Sequence, residues 1–275
     1  MTHDQLDAHL RRLGGQADQD IDLAQAALAL GAFDRPDVDL GPYRVHLDVL
    51  AEDARAAAFG AGDLSARVEA LNDVLFRRHH YRGDTESYDD LDNANLLSVI
   101  DRKRGLPIAL SIVYIATARA LGWPAIGVNF PGHFLVRLDA GGGSALVDPF
   151  NGGAVRDSAD LRALLKGLQG VDAELRPEHY APATNRMILL RLQNNIKSRL
   201  VAAGDFERAL GVVERMAMMA PDEAGLWHEL GAIHARIGNL RAAIAALETF
   251  AHLAPAGPAR EQARRLIAEV RSRLN

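Results

Sequence analysis

The stretch Arg104-Gly105-Leu106-Pro107-Ile108-Ala109-Leu110-Ser111, followed after a long apolar run by Pro131-Gly132-His133-Phe134-Leu135-Val136-Arg137 and then by Val147-Asp148-Pro149-Phe150-Asn151-Gly152-Gly153, decides the fold. Proline is favoured at the first position of a helix, where its missing N–H costs no hydrogen bond. A helix is therefore predicted from residue 107 to about 121, with Gly122 as the residue that ends it. Ile108, Leu110, Ile112, Val113, Ile115 and Ala116 surround it with apolar groups, and a helix apolar all round lies in a core. Two strand-like runs follow, residues 133–138 and 144–148, separated by a glycine-rich connection. With residues 139–142 as the loop, His133 stands directly opposite Asp148 on one face of the hairpin. A slip of one residue would part them.

Working outward, the 275-residue chain has 31 Lys and Arg against 36 Asp and Glu, a formal net charge of -5 and no cysteine. It is long enough for one large or two smaller domains without disulfides, and the missing cysteines exclude a disulfide framework. An acidic balance with no block of Lys or Arg lacks the footprint of a nucleic-acid or anionic-membrane binder. The first residues carry no apolar segment of a secretory signal, and the longest mostly apolar run, residues 107–118, falls short of the about 20 residues that cross a bilayer. A cytoplasmic protein without a nucleic-acid or membrane partner is expected. Upstream, Leu64, Val68, Leu71 and Leu75 repeat at helical spacing behind an N-cap at Asp63, and Ile21, Ala24, Ala27 and Leu28 do so behind Asp20. Another helix is expected around residues 43–58. The connection 83–95 holds Asp84, Asp89, Asp90 and Asp92 without the alternating ligands, central Gly and closing Glu of an EF-hand loop, so it reads as a solvated loop. His79-His80 reads as a cap or decoration of a helix end, and His228 and His234 face different directions on one helix. No metal or cofactor is expected.

The last third repeats itself. Gly204-Asp205-Phe206 and Gly238-Asn239-Leu240 lie 34 residues apart, as do Ala209 and Ala243, and Pro221 and Pro255. That is the period of tetratricopeptide repeats, and Trp227, Leu230, Gly231 and His234 follow the order of their first helix, with His234 where tyrosine is usual. Phe250 stands where alanine is usual, so the second copy is degenerate. Residues 259–274 form a helix with a charged face that can cap the stack. The expected boundary falls near residues 176–184, giving domains of 1–178 and 182–275.

Asn93-x-Asn95-Leu96-Leu97, Arg104-Gly-x-Pro-Ile-x-Leu-Ser111, Gly127-Val-x-Phe-Pro-Gly-His-Phe-Leu-Val-Arg137 and Asp148-Pro-Phe-Asn-Gly-Gly153, followed by the repeats, resemble the bacterial SirB-one family of the transglutaminase-like superfamily. The resemblance implies an α+β, mainly helical protein: a transglutaminase-like (papain-like) core with N-terminal helices, then an α-helical tetratricopeptide-type superhelix. Enzymes of that superfamily place a nucleophilic cysteine at the start of a buried helix, where the helix dipole and a histidine lower its pKa. By the resemblance that position falls at or beside Pro107, with His133 and Asp148 as histidine and aspartate. The chain departs from the pattern at the nucleophile, so cysteine-type acyl transfer is not carried over. A non-catalytic, protein-binding or regulatory scaffold, in effect a pseudoenzyme, is the favoured reading. Its partner would be a protein or peptide held in the repeat groove or beside His133, with Arg104, His133 and Asn151 as ligand-binding candidates. The alternative is a hydrolase or amidase using Ser111, His133 and Asp148. Ser111 lies one turn beyond Pro107, where a mid-helix serine more commonly bonds the carbonyl four residues back. His133 with Asp148 reads first as a structural pair, and Arg104 as an ion-pair partner of the acidic loop.

Overall fold

A computed structural model describes residues 2–60 and 62–274, and they divide into two compact units. The first comprises the residues up to Leu6 and Asp18–Leu192; the second comprises Asp7–Ala17 and the chain from Gln193 onward. This differs from the boundary expected at 178–182. The strand that closes the sheet, Pro182–Ala183, and the buried Ile188, Leu189 and Leu192 all belong to the first unit. The helix α1 (His3–Gly15), read from sequence as part of the first domain, contributes most of its length to the second unit.

In the first unit a layer of helices surrounds one apolar helix. These are α2 (Leu23–Ala32), α3 (Gly41–Ala57), α4 (Leu64–Asn72) and, past a π-helical turn at Asp73–Arg78, α5 (Leu96–Arg102) and α6 (Pro107–Ala120). Asp63 caps α4 by accepting from Ala66 N at 2.8 Å. The cap of α2 is Asp22, which accepts from Gln25 N at 3.0 Å, rather than the expected Asp20. Eleven of the fourteen residues of α6 are buried, including Pro107 at its first position. The helix therefore excludes water on every side, as its composition requires.

Two residues each of β1 (Arg82–Gly83) and β2 (Arg104–Gly105) pair in parallel. The main sheet is antiparallel, built from β3 (Ala125–Val128), β4 (Leu135–Ala140), β5 (Gly143–Asp148), β6 (Ala154–Val155) and β7 (Pro182–Ala183) in the order β6-β5-β4-β3-β7. Helix α6 lies against β3 and β4. A further helix, α7 (Ser158–Gln169), buries Leu161 and Leu165 with Val128, Phe130 and Leu135. The hairpin is tighter than expected. Val136 pairs with Val147 and Ala140 with Gly143, leaving Gly141 and Gly142 as a two-residue turn with φ of +58° and +80°. Positive φ at both central residues is the turn whose twist matches flanking strands, and glycine adopts it without strain. The register differs by two residues from the expected one, so every side chain keeps its predicted face.

The second unit holds the repeats. Helix α8 (Asn185–Ala202) runs across the division, and α9 (Phe206–Met219), α10 (Ala224–Arg236), α11 (Leu240–Leu253) and α12 (Pro258–Leu274) follow. The two repeat turns are built alike: Asp205 N donates to Leu200 O and Asn239 N to His234 O, both at 2.9 Å, after left-handed Gly204 and Gly238. Ala243 and Leu247 of α11 bury with Ile267 and Val270 of α12, the expected cap. From α1, Leu10 and Leu13 are buried, and Gly14 sits so close to Met218 O of α9 that a Cβ there would collide.

Candidate functional site

His133 leaves a four-residue turn in which its N–H donates to Phe130 O at 3.1 Å, with Pro131 and a left-handed Gly132 between them. Proline followed by such a glycine is the signature of a tight turn entering a strand. Asp148 ends β5 and caps the 3-10 turn Pro149–Asn151, accepting from Asn151 N at 3.2 Å. His133 Nε2 lies 2.9 Å from Asp148 Oδ1. The two are brought together as diagonal neighbours, not directly opposed, because the tighter register sets Asp148 level with Leu135 and a two-residue offset keeps both on one face. The contact is at ion-pair distance.

The carboxylate has further partners that the sequence reading did not name. Arg156 donates to Asp148 Oδ2 from Nε at 3.0 Å and from Nη2 at 2.8 Å, and Asn151 Nδ2 donates to the same oxygen at 2.8 Å. Arg156 N donates to Leu146 O, which sets Arg156 on the face shared by Leu146 and Asp148. Period-two alternation from Ala154 was the available signal. Asp148 is completely buried. Burial pushes its pKa up, yet the contacts of His133, Asn151 and Arg156 outweigh it and hold the carboxyl at about 2. An aromatic edge closes one side, where His133 meets Phe150 edge-on at 6.2 Å and Phe150 meets Tyr88 at 6.0 Å. Arg191 Nη2 holds His133 O at 3.0 Å.

Ser111 is different. It is fully buried in α6, and its Oγ has no hydrogen-bond partner among the described residues. It therefore bonds neither an imidazole, as a nucleophile must, nor the carbonyl four residues back. Thr117 makes that helical back-bond instead, to Val113 O at 2.9 Å.

Arg104 is half-buried, with Nη1 3.5 Å from Glu86 Oε2. The acidic connection is the exposed loop expected over residues 85–90 and at Asp92, with Asp84 as the exception. Asp84 is 1% exposed and accepts from Ser87 N, Ser87 Oγ and Glu86 N, while Arg102 lies within 3.5 Å of Asp84, Asp90 and Asp92. The hydrogen bond from Ser87 N, with other donors, lowers Asp84 to about 2. Among the described residues no group of three or more His, Cys, Asp and Glu side chains is arranged to hold a metal ion. His79 caps the end of the π-helical turn, as expected, its N–H donating to Val74 O at 2.9 Å, and its Nε2 is 2.7 Å from Asp53 Oδ2.

Comparison with known proteins matches residues 42–194 to the transglutaminase-like superfamily model and residues 196–268 to a tetratricopeptide-repeat model. A UPF0162 protein of Xylella fastidiosa is 30% identical over 241 residues, covering 86% of each chain. A UPF0162 protein of Vibrio cholerae is 30% identical over 89% of this chain and 92% of its own. F-box only protein 21 of Pongo abelii is 37% identical over 103 residues, 34% of this chain and 17% of that protein.

Proposed function

The chain belongs to the transglutaminase-like superfamily and to the SirB-like UPF0162 proteins, and carries tetratricopeptide repeats in its last third; from that premise we propose that it is a non-catalytic, protein-binding scaffold. The observation that carries this reading is the centre itself: a histidine and a buried aspartate are held in place where, among the described residues, no nucleophile meets them. Proline occupies the start of α6 and Ser111 Oγ is sealed inside it. Acyl transfer needs an attacking atom both within reach of its base and open to substrate. Asp148, spread over Arg156, Asn151 and His133, ties the hairpin to the turn at Pro149–Asn151 and to β6.

Recognition is then assigned to the repeat unit. Tetratricopeptide repeats generally serve protein–protein interaction through a concave face. Here a groove of about 690 Å3 is lined by Met218, Trp227 and Leu230, with Arg11, Glu214 and His234 among its polar groups. The Trp227 ring is fixed by a hydrogen bond of 2.7 Å from Nε1 to Pro221 O. An apolar floor with a few charged groups suits a short amphipathic peptide segment.

The test pairs two measurements on the full chain: turnover of a panel of amide and ester substrates, and binding to an immobilised peptide library before and after Trp227→Ala. The expected result is no saturable turnover and peptide binding that weakens in the variant. Saturable turnover abolished by Ser111→Ala would transfer the protein to the hydrolase class.

A further inference from the structure

We propose that Lys103 is a nucleophilic amine, a site of covalent acylation by activated acyl donors, with His46 as the group that takes its proton. The chain has three lysines, Lys103, Lys166 and Lys197. Lys197 is paired with Glu229 at 2.6 Å and Lys166 with Glu174 at 3.8 Å. Lys103 is held differently. Its Nζ lies 2.8 Å from His46 Nε2 and 3.5 Å from Tyr81 Oη, and sits over the Tyr81 ring, 4.8 Å from its centroid. Among the described residues no ion pair joins it to a carboxylate.

The setting comes from three elements. Lys103 ends α5 in a left-handed conformation, φ +57°, which turns the chain sharply into β2. His46 projects from α3, and Tyr81, buried, follows the π-helical turn. His46 Nε2 and Tyr81 Oη are 2.9 Å apart, so the amine, the imidazole and the phenol form a triangle in which each group can give or take a proton. Two other titratable groups border the triangle: His79, engaged by Asp53, meets the His46 ring at 5.7 Å, and Asp101, engaged by Arg35 and Tyr43, favours the charged forms of Lys103 and His46 and so opposes part of the effect of burial. Lys103 and His46 are half-buried, not sealed, so a small donor has access.

Protonation supports the same reading. Burial lowers the Lys103 amine from its ordinary range, and burial followed by the Lys103 charge pushes His46 down to about 4, leaving a neutral ring at neutral pH. Part of what depresses His46 is thus the ammonium itself, and the ring becomes more basic as that charge is lost. In the reaction the Nζ lone pair attacks the acyl carbon and a C–N bond forms. The bond to the leaving group, sulfur in a thioester or phosphate oxygen in an acyl phosphate, breaks with its electron pair. The amine proton passes to His46 Nε2 and then to water. Acylation removes the charge and the contact with His46, at the residue joining Arg102 to β2.

The experiment incubates the full chain separately with acetyl phosphate and with acetyl-coenzyme A between pH 6 and 9, and measures acetyl occupancy at each lysine by peptide mass spectrometry. Lys103 should be labelled several-fold faster than Lys166 near neutral pH. His46→Gln should slow Lys103 selectively while Lys166, the internal control, keeps its rate. Labelling by one donor alone assigns the leaving group. Labelling by neither, or Lys103 reacting no faster than Lys166 in the unaltered protein, overturns the proposal whether or not the variant folds.

Discussion

At Asp148 one fully buried carboxylate meets the side chains of Arg156, Asn151 and His133. Removing one member of a buried charge cluster leaves the others unpaired. Asp148→Ala should cost about 2 to 4 kcal/mol, toward the lower end of what breaking a buried pair costs because Arg156 and His133 keep some solvent. His133→Ala should cost less, and the double variant less than the sum of the two, with a coupling of roughly 0.5 kcal/mol or more in urea melts. Full additivity would mean that the 2.9 Å contact does not exist in solution. The pH dependence has a definite sign. Asp148 and Asp84 have folded pKa values of about 2 against an ordinary 3.8, so their stabilisation is complete above about pH 4 and is lost as pH falls toward 2. Urea midpoints measured from pH 5 down to 2 should fall steeply, and Asp84→Asn should flatten that slope; an unchanged slope would count against the network around Asp84. Ser111→Ala, which removes a buried hydroxyl that bonds nothing, should shift stability by no more than about 1 kcal/mol in either direction. His133 and Asp148 were legible as a pair because strand alternation is local. Arg156 was not, because it reaches Asp148 only after the chain turns through Gly152-Gly153 and returns as β6.

At the scale of elements, the β4–β5 hairpin and α6 are read very differently by sequence. α6 carries its own evidence in Pro107 and in apolar groups on all sides, and the structure reproduces its predicted limits to within a residue. The hairpin's strands and faces were equally visible, but its turn was not. Residues 139–143 contain three consecutive glycines, and more than one loop length is sterically allowed to them. The two-residue turn wins because it extends pairing to Ala140 and Gly143. Gly141→Ala and Gly142→Ala should therefore each cost about 1 kcal/mol for forcing a Cβ into the left-handed region, whereas Gly141→Asn should be tolerated. Thermal melts would settle it: two neutral alanine variants would argue for the longer loop. In the acidic connection the aspartates remain exposed as expected apart from Asp84, which is buried, and Arg102 at the end of α5 reaches Asp84, Asp90 and Asp92.

For the whole molecule, the 34-residue spacing announced the repeats and their C-terminal cap, yet not the part that α1 takes in their unit. Leu10 and Leu13 of α1 are buried in the unit that contains α9 to α12. A fragment of residues 182–275 should accordingly unfold less cooperatively than the intact chain, and a synthetic peptide of residues 3–17 should sharpen its transition. A fragment that melts sharply and ignores the peptide would show that α1 is dispensable there. Among the described residues no helix is long and apolar enough to cross a membrane. By itself the sequence determined the buried helix, the faces of the strands, the repeat period and the want of a thiol, because periodicity, caps and residue chemistry act within a few residues of each other. Only the tertiary structure decided the hairpin register, the Arg156 anchor, the place of α1 and the meeting of Lys103 with His46 and Tyr81. Those depend on segments far apart in the chain closing on one another, where the geometry of turns and the satisfaction of buried charge, not local pattern, select the partner.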